Sequence, residues 1–277
     1  MKRKTGWSTA YLLLIFIVMY LPILLVIITS FNDSRLNSVF AGFTLRWYRD
    51  LMNSRAMLTA LKNSVILGLL SSGAAAVIGT LAAVGMSRAQ IRGARTIEYL
   101  STLPIMLPEI ILGMVFMVFF ALLGLPFGMT TLVIAHTAFC IPYVFLNVKA
   151  RLVGLDHSII EAAWDLGAGE IRAFFDITLP LILPAIMSGI LLSFAMSFDD
   201  VIISELVTGP GVNTLPVLIF SQIKTGVKPQ TYAMCTLLFL LTLIMGIASM
   251  ALSGYGKQQT VKIDSRKSSH ELQEDAL

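Results

Sequence analysis

Glu161-Ala162-Ala163-Trp164-Asp165-Leu166-Gly167, closed further on by Ile177-Thr178-Leu179-Pro180, forms a polar island between two apolar runs. Leu155 to Leu166 carries good helix formers, Asp156 is placed to cap a first turn, and the alanines give a slim surface. Gly167 breaks that helix, and Gly169 to Phe175 can start another before Pro180 and Pro184. A short helix, a glycine bend and a second short helix make a compact knob. Such a knob can sit in a cleft on another protein and move as one rigid piece.

The rest of the chain says where the knob is mounted. Of its 277 residues, 56% are hydrophobic and 13% charged, against roughly a quarter charged in soluble domains. This composition belongs to an integral membrane protein. Cys140 and Cys235 both lie inside apolar runs and read as small buried side chains rather than as a disulfide. The net charge of +4 comes without a basic and aromatic stripe, so no nucleic-acid partner is expected.

A spanning helix needs about 20 mostly apolar residues. Six segments qualify, at 10–30, 63–86, 99–123, 129–148, 182–204 and 230–254. The third and fourth are parted by the turn Gly124-Leu125-Pro126-Phe127-Gly128. A seventh apolar stretch, 206–223, is broken by Gly209-Pro210-Gly211 and Pro216 and reads as an interfacial loop with a small helix. With both termini cytoplasmic, thirteen of the 20 lysines and arginines fall inside, as the positive-inside rule requires. The loop 149–181 is then cytoplasmic. The N-terminal basic-then-apolar segment is read as an uncleaved first helix. The permease domain spans 1–256, and the polar tail 257–277 is expected to be disordered.

Ionisable groups inside a span cost roughly 2.5–3.5 kcal/mol each on insertion scales, so each asks for a reason. At about 1.5 Å per residue from Glu98, Glu109 would lie about 16 Å deep, near the bilayer centre. Pro104 and Pro108 precede it and loosen the helix, so freed carbonyls can face a cavity beside the carboxylate. In the fifth span Ser193, Ser197 and Asp200 share a helical face, with Asp199 about 100° away. That stripe reads as a pore wall. Three carboxylates at two depths suit a positively charged solute, amines above anions. Trp47 and Tyr48, in the first outer loop, read either as an aromatic anchor at the membrane surface or as a cation–π wall at the entrance.

The spacing Glu-Ala-Ala, three residues, Gly, nine residues, Ile-x-Leu-Pro resembles the EAA signature of the membrane subunits of bacterial ABC importers. Up to about Lys257, the chain is similar to the spermidine/putrescine branch, closest to its PotC-type subunits. The likeness rests on Gly42 to Tyr48, Pro108-Glu109, Glu161 to Ala168, Ser197-Phe198-Asp199-Asp200-Val201, Val207-Thr208-Gly209-Pro210, Leu215-Pro216 and Gly226-Val227-Lys228-Pro229. One departure is Glu109, where the branch often has Asp. The resemblance implies an all-α, MetI-like ABC importer permease fold of six transmembrane helices in the bacterial plasma (inner) membrane. It implies a heterodimer with a PotB-like second permease, an ABC ATPase dimer, an extracytoplasmic polyamine-binding protein and surrounding membrane lipid. It further implies that Glu161, Ala162, Ala163, Asp165, Gly167 and Glu170 couple to the ATPase. Trp47, Glu109, Ser197, Asp199 and Asp200 would serve the substrate pathway.

The chain itself is expected to carry no catalytic site, no metal and no cofactor, with ATP bound by the partner subunit. No HExxH, Gly-x-Ser-x-Gly or P-loop pattern is present, and His136, His157 and His270 are scattered. His136, in the fourth span, reads as a packed or pore-facing polar residue rather than a ligand. Two alternatives stay open: an importer for another solute, such as ferric iron or another amine, and a stand-alone cation transporter.

Overall fold

The computed structural model describes residues 5–34, 39–88, 93–165 and 167–244. It divides into two compact units, Met1–Ser54 with Val227–Leu277, and Arg55–Gly226. The expected tail 257–277 and the end of the sixth expected span lie outside the described residues.

In the first unit, α1 (Thr5–Ser30) exposes its apolar side chains from Tyr11 to Ile28. This is the surface of a helix meant for lipid or for a neighbouring subunit. After it the chain folds back on itself. Asn32 bridges Phe43, and the Phe31 ring stacks on Phe43 at 5.2 Å. The short helix α2 (Arg46–Asn53) buries Trp47 and Leu51 beneath this turn. A further apolar helix, α12, runs over Pro229–Ile244.

The second unit carries the bundle: α3 (Arg55–Arg88), α4 (Ala94–Met106), α5 (Glu109–Leu122), α6 (Met129–Val153), α7 (His157–Asp165), α8 (Glu170–Ala173), α9 (Leu179–Asp199), α10 (Ile202–Val207) and α11 (Leu215–Thr225). Helices α3, α6 and α9 pack against one another. Small residues permit the close approach, which in lipid must come from packing rather than from water exclusion. A Cβ at Gly79 would stand 3.0 Å from the Val144 Cβ, and one at Gly189 would stand 3.0 Å from the Val144 Cα. Val144 is thus clasped between two glycines. The Glu98–Lys149 ion pair ties α4 to α6.

Among the described residues, four helices are long and apolar enough to cross a membrane: Thr9–Ser30, Arg55–Ser87, Met129–Val153 and Glu170–Asp199. A fifth is gained if Arg95–Met106 and Glu109–Leu122 are one broken span, bent by 105°. The third expected span is therefore not a straight rod. Leu107, preceding a proline, is extended (φ −81°, ψ 140°), and Pro108 continues extended at ψ 133°. The straight-helix depth of Glu109 falls with it.

The knob also differs in one respect from expectation. Its second helix does not stop before Pro180. Instead α8 passes through a π-helical turn, Phe174–Thr178, into α9, giving one 30-residue helix from Glu170 to Asp199. Pro180 follows directly on that π-helical turn, where the regular hydrogen-bond ladder is already interrupted, so the proline is accommodated within the continuous helix. The seventh apolar stretch does divide, into α10, the Gly209-Pro210-Gly211 turn and α11. A Cβ at Gly209 would lie 1.8 Å from the Phe127 carbonyl oxygen, so only glycine fits there.

Candidate functional site

The corner between α9 and α10 is built around one aspartate. Asp200 is extended (φ −66°, ψ 128°) and ends α9. Its carboxylate accepts the backbone N–H of Ile203 at 3.2 Å and of Ser204 at 2.7 Å, satisfying donors at the start of α10 that have no partner within the helix. The side chain is sunk: Asp200 is 6% exposed. A buried carboxylate needs a partner, and His136 of α6 supplies it, with Nε2 at 3.5 Å from Oδ2. His136 is wholly buried. Its Nδ1 meets Ser197 Oγ at 2.8 Å and its Nε2 meets Ser204 Oγ at 3.1 Å. Ser197 Oγ lies 3.0 Å from Ser71 Oγ of α3. One polar chain therefore stitches α3, α9, α6 and α10 together.

Helical periodicity rightly placed Ser193, Ser197 and Asp200 on one face, but that face turns inward. Ser193 donates to the Cys140 carbonyl at 3.3 Å, and the Cys140 thiol donates to the Ser193 carbonyl at 3.4 Å. The stripe expected to wall a pore is, in this chain, a buried seam against α3 and α6. His136, Ser71 and Ser204 complete the seam, and sequence reading did not single out their roles. The available signal was the imidazole itself, a polar ring in an apolar span that had to find a partner.

Asp199 points elsewhere and is exposed, as is Glu109, the first residue of α5. Among the described residues neither forms an ion pair with a basic group. Glu109 lies within electrostatic range of Asp200 and Asp199, so the three acids act on one another. Two exposed carboxylates and a third, buried and hydrogen-bonded one make a region that attracts cations. Among the described residues no group of three or more His, Cys, Asp and Glu is arranged to hold a metal ion.

Trp47 is packed inside the first unit rather than presented on its surface. It is 3% exposed, its indole N–H donates to the Asn32 carbonyl at 2.7 Å, and the Arg46 guanidinium covers its ring at 4.2 Å. The ring already has a cation over it, so it offers a solute no open face within this unit. Tyr48 holds the end of α1 through a 2.7 Å bond to Ser30 Oγ.

The knob is assembled as its residues require. The backbone N–H of Ser158 donates to Asp156 Oδ1 at 3.0 Å, capping α7. Gly167, at φ +83°, closes its far end. There Gly167 donates to the Trp164 carbonyl and Ala168 to the Ala163 carbonyl, each at 2.9 Å, the paired bonds that terminate helices on a left-handed glycine. Glu161, Ala162, Asp165 and Glu170 are exposed, while Ala163 is buried at the base. Arg151 donates from Nε to the Leu181 carbonyl at 3.0 Å, tying the end of α6 to α9.

Long apolar helices clasped by glycines, a broken span bearing a carboxylate and a glycine-closed knob between two helices define a multi-pass membrane component of a transport system. The chain belongs to the family described as binding-protein-dependent transport system inner membrane component, whose model matches residues 75–255. It is 40% identical over 266 residues to the putrescine transport system permease protein PotI of Escherichia coli K12, covering 94% of this chain and 95% of that one. To the spermidine/putrescine transport system permease protein PotC of the same strain it is 39% identical over 250 residues, covering 90% and 93%. Among solved structures, a bacterial ABC transporter that imports the polysaccharide alginate shares the fold at a TM-score of 0.66 and 16% identity, covering 91% of this chain and 96% of that one. The MetNI methionine ABC transporter does so at 0.58 and 18%, covering 72% and 95%. The expected ABC importer permease fold is the observed one. Membership makes the chain a non-enzymatic inner-membrane permease component of a binding-protein-dependent transport system.

Proposed function

We propose that this chain is one of two permease subunits of an ATP-driven importer for linear polyamines, putrescine and spermidine, and that its sister is PotB-like. The observation that carries the reading is the exposed carboxylate pair, Glu109 and Asp199, set at breaks in apolar helices. The chain's near-full-length relatives are permeases for those same amines. Ammonium groups separated by methylenes suit such a pair, whereas anions are repelled. Asp200, held by His136, contributes to the field without having to touch the solute.

Energy enters at the knob. Closure of the ATPase dimer pushes Glu161 to Gly167 of this chain and the sister's counterpart together. Because α8, the π-helical turn and α9 are one continuous helix, a push at Glu170 is delivered to Asp199 at its other end. The pathway thereby alternates between facing the binding protein and facing the cytoplasm, with both termini inside. Gly167 permits the knob to tilt as a unit, and Asp165 and Glu170 present charge to the ATPase cleft.

The test is uptake of radiolabelled putrescine and spermidine in cells lacking their own polyamine importers and expressing this chain with its sister, ATPase and binding protein. The reading expects uptake that needs both ATP and the binding protein. Absence of polyamine uptake, with accumulation of ferric iron or another solute instead, contradicts it.

A further inference from the structure

The pairing of His136 with Asp200 does more than fill the bundle. The six-residue helix α10 follows Asp199 in the chain and packs against α5, the helix that begins at Glu109. Its N-terminal amides are held by Asp200, the residue that follows Asp199. Its C-terminal carbonyl, at Val207, accepts from Thr131 Oγ1 of α6 at 2.9 Å. Its flank rests on α5 at Gly113, where a Cβ would stand 3.3 Å from the Ile203 Cα and 2.8 Å from Leu206 Cδ1. Gly113 lies one helical turn after Glu109 on that helix. Anything that shifts α10 therefore shifts Glu109 relative to Asp199.

We propose that His136 is a positioning residue for the substrate pathway. Through Asp200, Ser197 and Ser204 it fastens α10 to α6 and so fixes the separation of the Glu109 and Asp199 carboxylates. A buried carboxylate held by an imidazole adds little net stability over apolar packing, yet removing the imidazole leaves the carboxylate short of a partner, so the contact holds one geometry against others. Ser197 and Ser204 take both ring nitrogens and leave the imidazole a single orientation. The separation of two carboxylates is what selects among amines of different spacing. The inference rests on reading Glu109 and Asp199 as amine-binding groups, and its test has one arm that does not.

The complete complex, with sister, ATPase and binding protein, would be prepared in lipid nanodiscs as wild type, His136→Gln, His136→Phe, Asp200→Asn and the His136→Phe/Asp200→Asn double variant. Hydrogen–deuterium exchange of residues 200–207 reports the fastening without any solute. Loss of the imidazole's buried bonds predicts exchange faster by about tenfold in His136→Phe, with residues 75–83 of α3, beyond the polar chain, unchanged. Proteoliposome uptake should show KM for putrescine and spermidine raised by about tenfold in His136→Phe, with the maximal rate within about threefold. His136→Gln, which keeps a donor toward Asp200, should restore KM to within about threefold of wild type. Because the pair acts as one unit, the double variant should exceed His136→Phe by no more than about twofold.

Unchanged exchange at 200–207 overturns the proposal. So does a loss of assembled complex or maximal rate with KM untouched, or a Gln variant as impaired as Phe. If wild type carries no polyamine, the pathway reading fails, and the exchange arm still decides whether His136 fastens α10.

Discussion

Replacing Gly209 by alanine is the smallest change that tests how the α10 loop is docked. The added Cβ would fall 1.8 Å from the Phe127 carbonyl oxygen, 2.4 Å from its carbon and 2.9 Å from the Gly128 nitrogen. Ordinary contact lies at about 3.5 Å, so the two backbones must part by about 1.7 Å. Nothing flexible can yield, because all three atoms are main chain. Parting of this size pulls Val207 from Thr131 Oγ1, a buried bond of 2.9 Å. Overpacking costs about 1–3 kcal/mol and the lost bond about 1 kcal/mol, so a total of about 3 kcal/mol is expected. For a chain of this size each kcal/mol moves the melting midpoint by roughly 2–4 °C, giving a fall of roughly 6–12 °C. The assay is thermal melting of the purified complex in detergent, followed by size-exclusion fluorescence. Gly211→Ala serves as control: Gly211 sits at φ +81° with open space around its Cβ position, so only the left-handed strain of about 1–2 kcal/mol applies. A Gly209→Ala complex that melts with wild type, or above the Gly211→Ala control, refutes the reasoning.

Two further outcomes are expected. Gly167→Val forces a β-branched residue to φ +83° and removes the closure of α7, so co-purification of the ATPase should fall by about tenfold while the membrane subunits still assemble; a pull-down of the complex measures it. Trp47→Phe leaves the Asn32 carbonyl without its 2.7 Å donor, at a cost of about 1–3 kcal/mol; limited proteolysis in detergent should then cut the 31–45 segment faster, with the 55–226 unit as resistant as before.

Much of the architecture could be read from short-range pattern. Asp156 and Gly167 mark the two ends of α7 because capping and left-handed glycine are local properties. The Gly124 to Gly128 turn and the Gly209-Pro210-Gly211 break were visible for the same reason. Local pattern fails where geometry depends on distant chain. Pro104 and Pro108 announced a weakened helix, but the 105° bend is a tertiary quantity. Pro180 and Pro184 suggested that the helix stops, whereas the π-helical turn at Phe174–Thr178 lets it continue. The stripe through Ser197 and Asp200 was correctly grouped, yet periodicity cannot say whether a face meets water or another helix. His136 decides it, and His136 is 61 residues from Ser197 in the chain. Trp47 misled in a similar way: local pattern offered an entrance wall or a surface anchor and could not show that the ring is buried with its N–H on the Asn32 carbonyl.

The central claim is that Glu109 and Asp199 form the amine-binding part of the pathway, and its most direct test is initial-rate uptake by Glu109→Gln and Asp199→Asn at matched membrane abundance. Each change keeps the side chain's size and removes one charge. Losing a charge-assisted contact of about 1.5–3 kcal/mol predicts KM for putrescine and spermidine raised by roughly tenfold to a hundredfold, with ATPase assembly intact. Wild-type KM and rate in both variants would contradict the account.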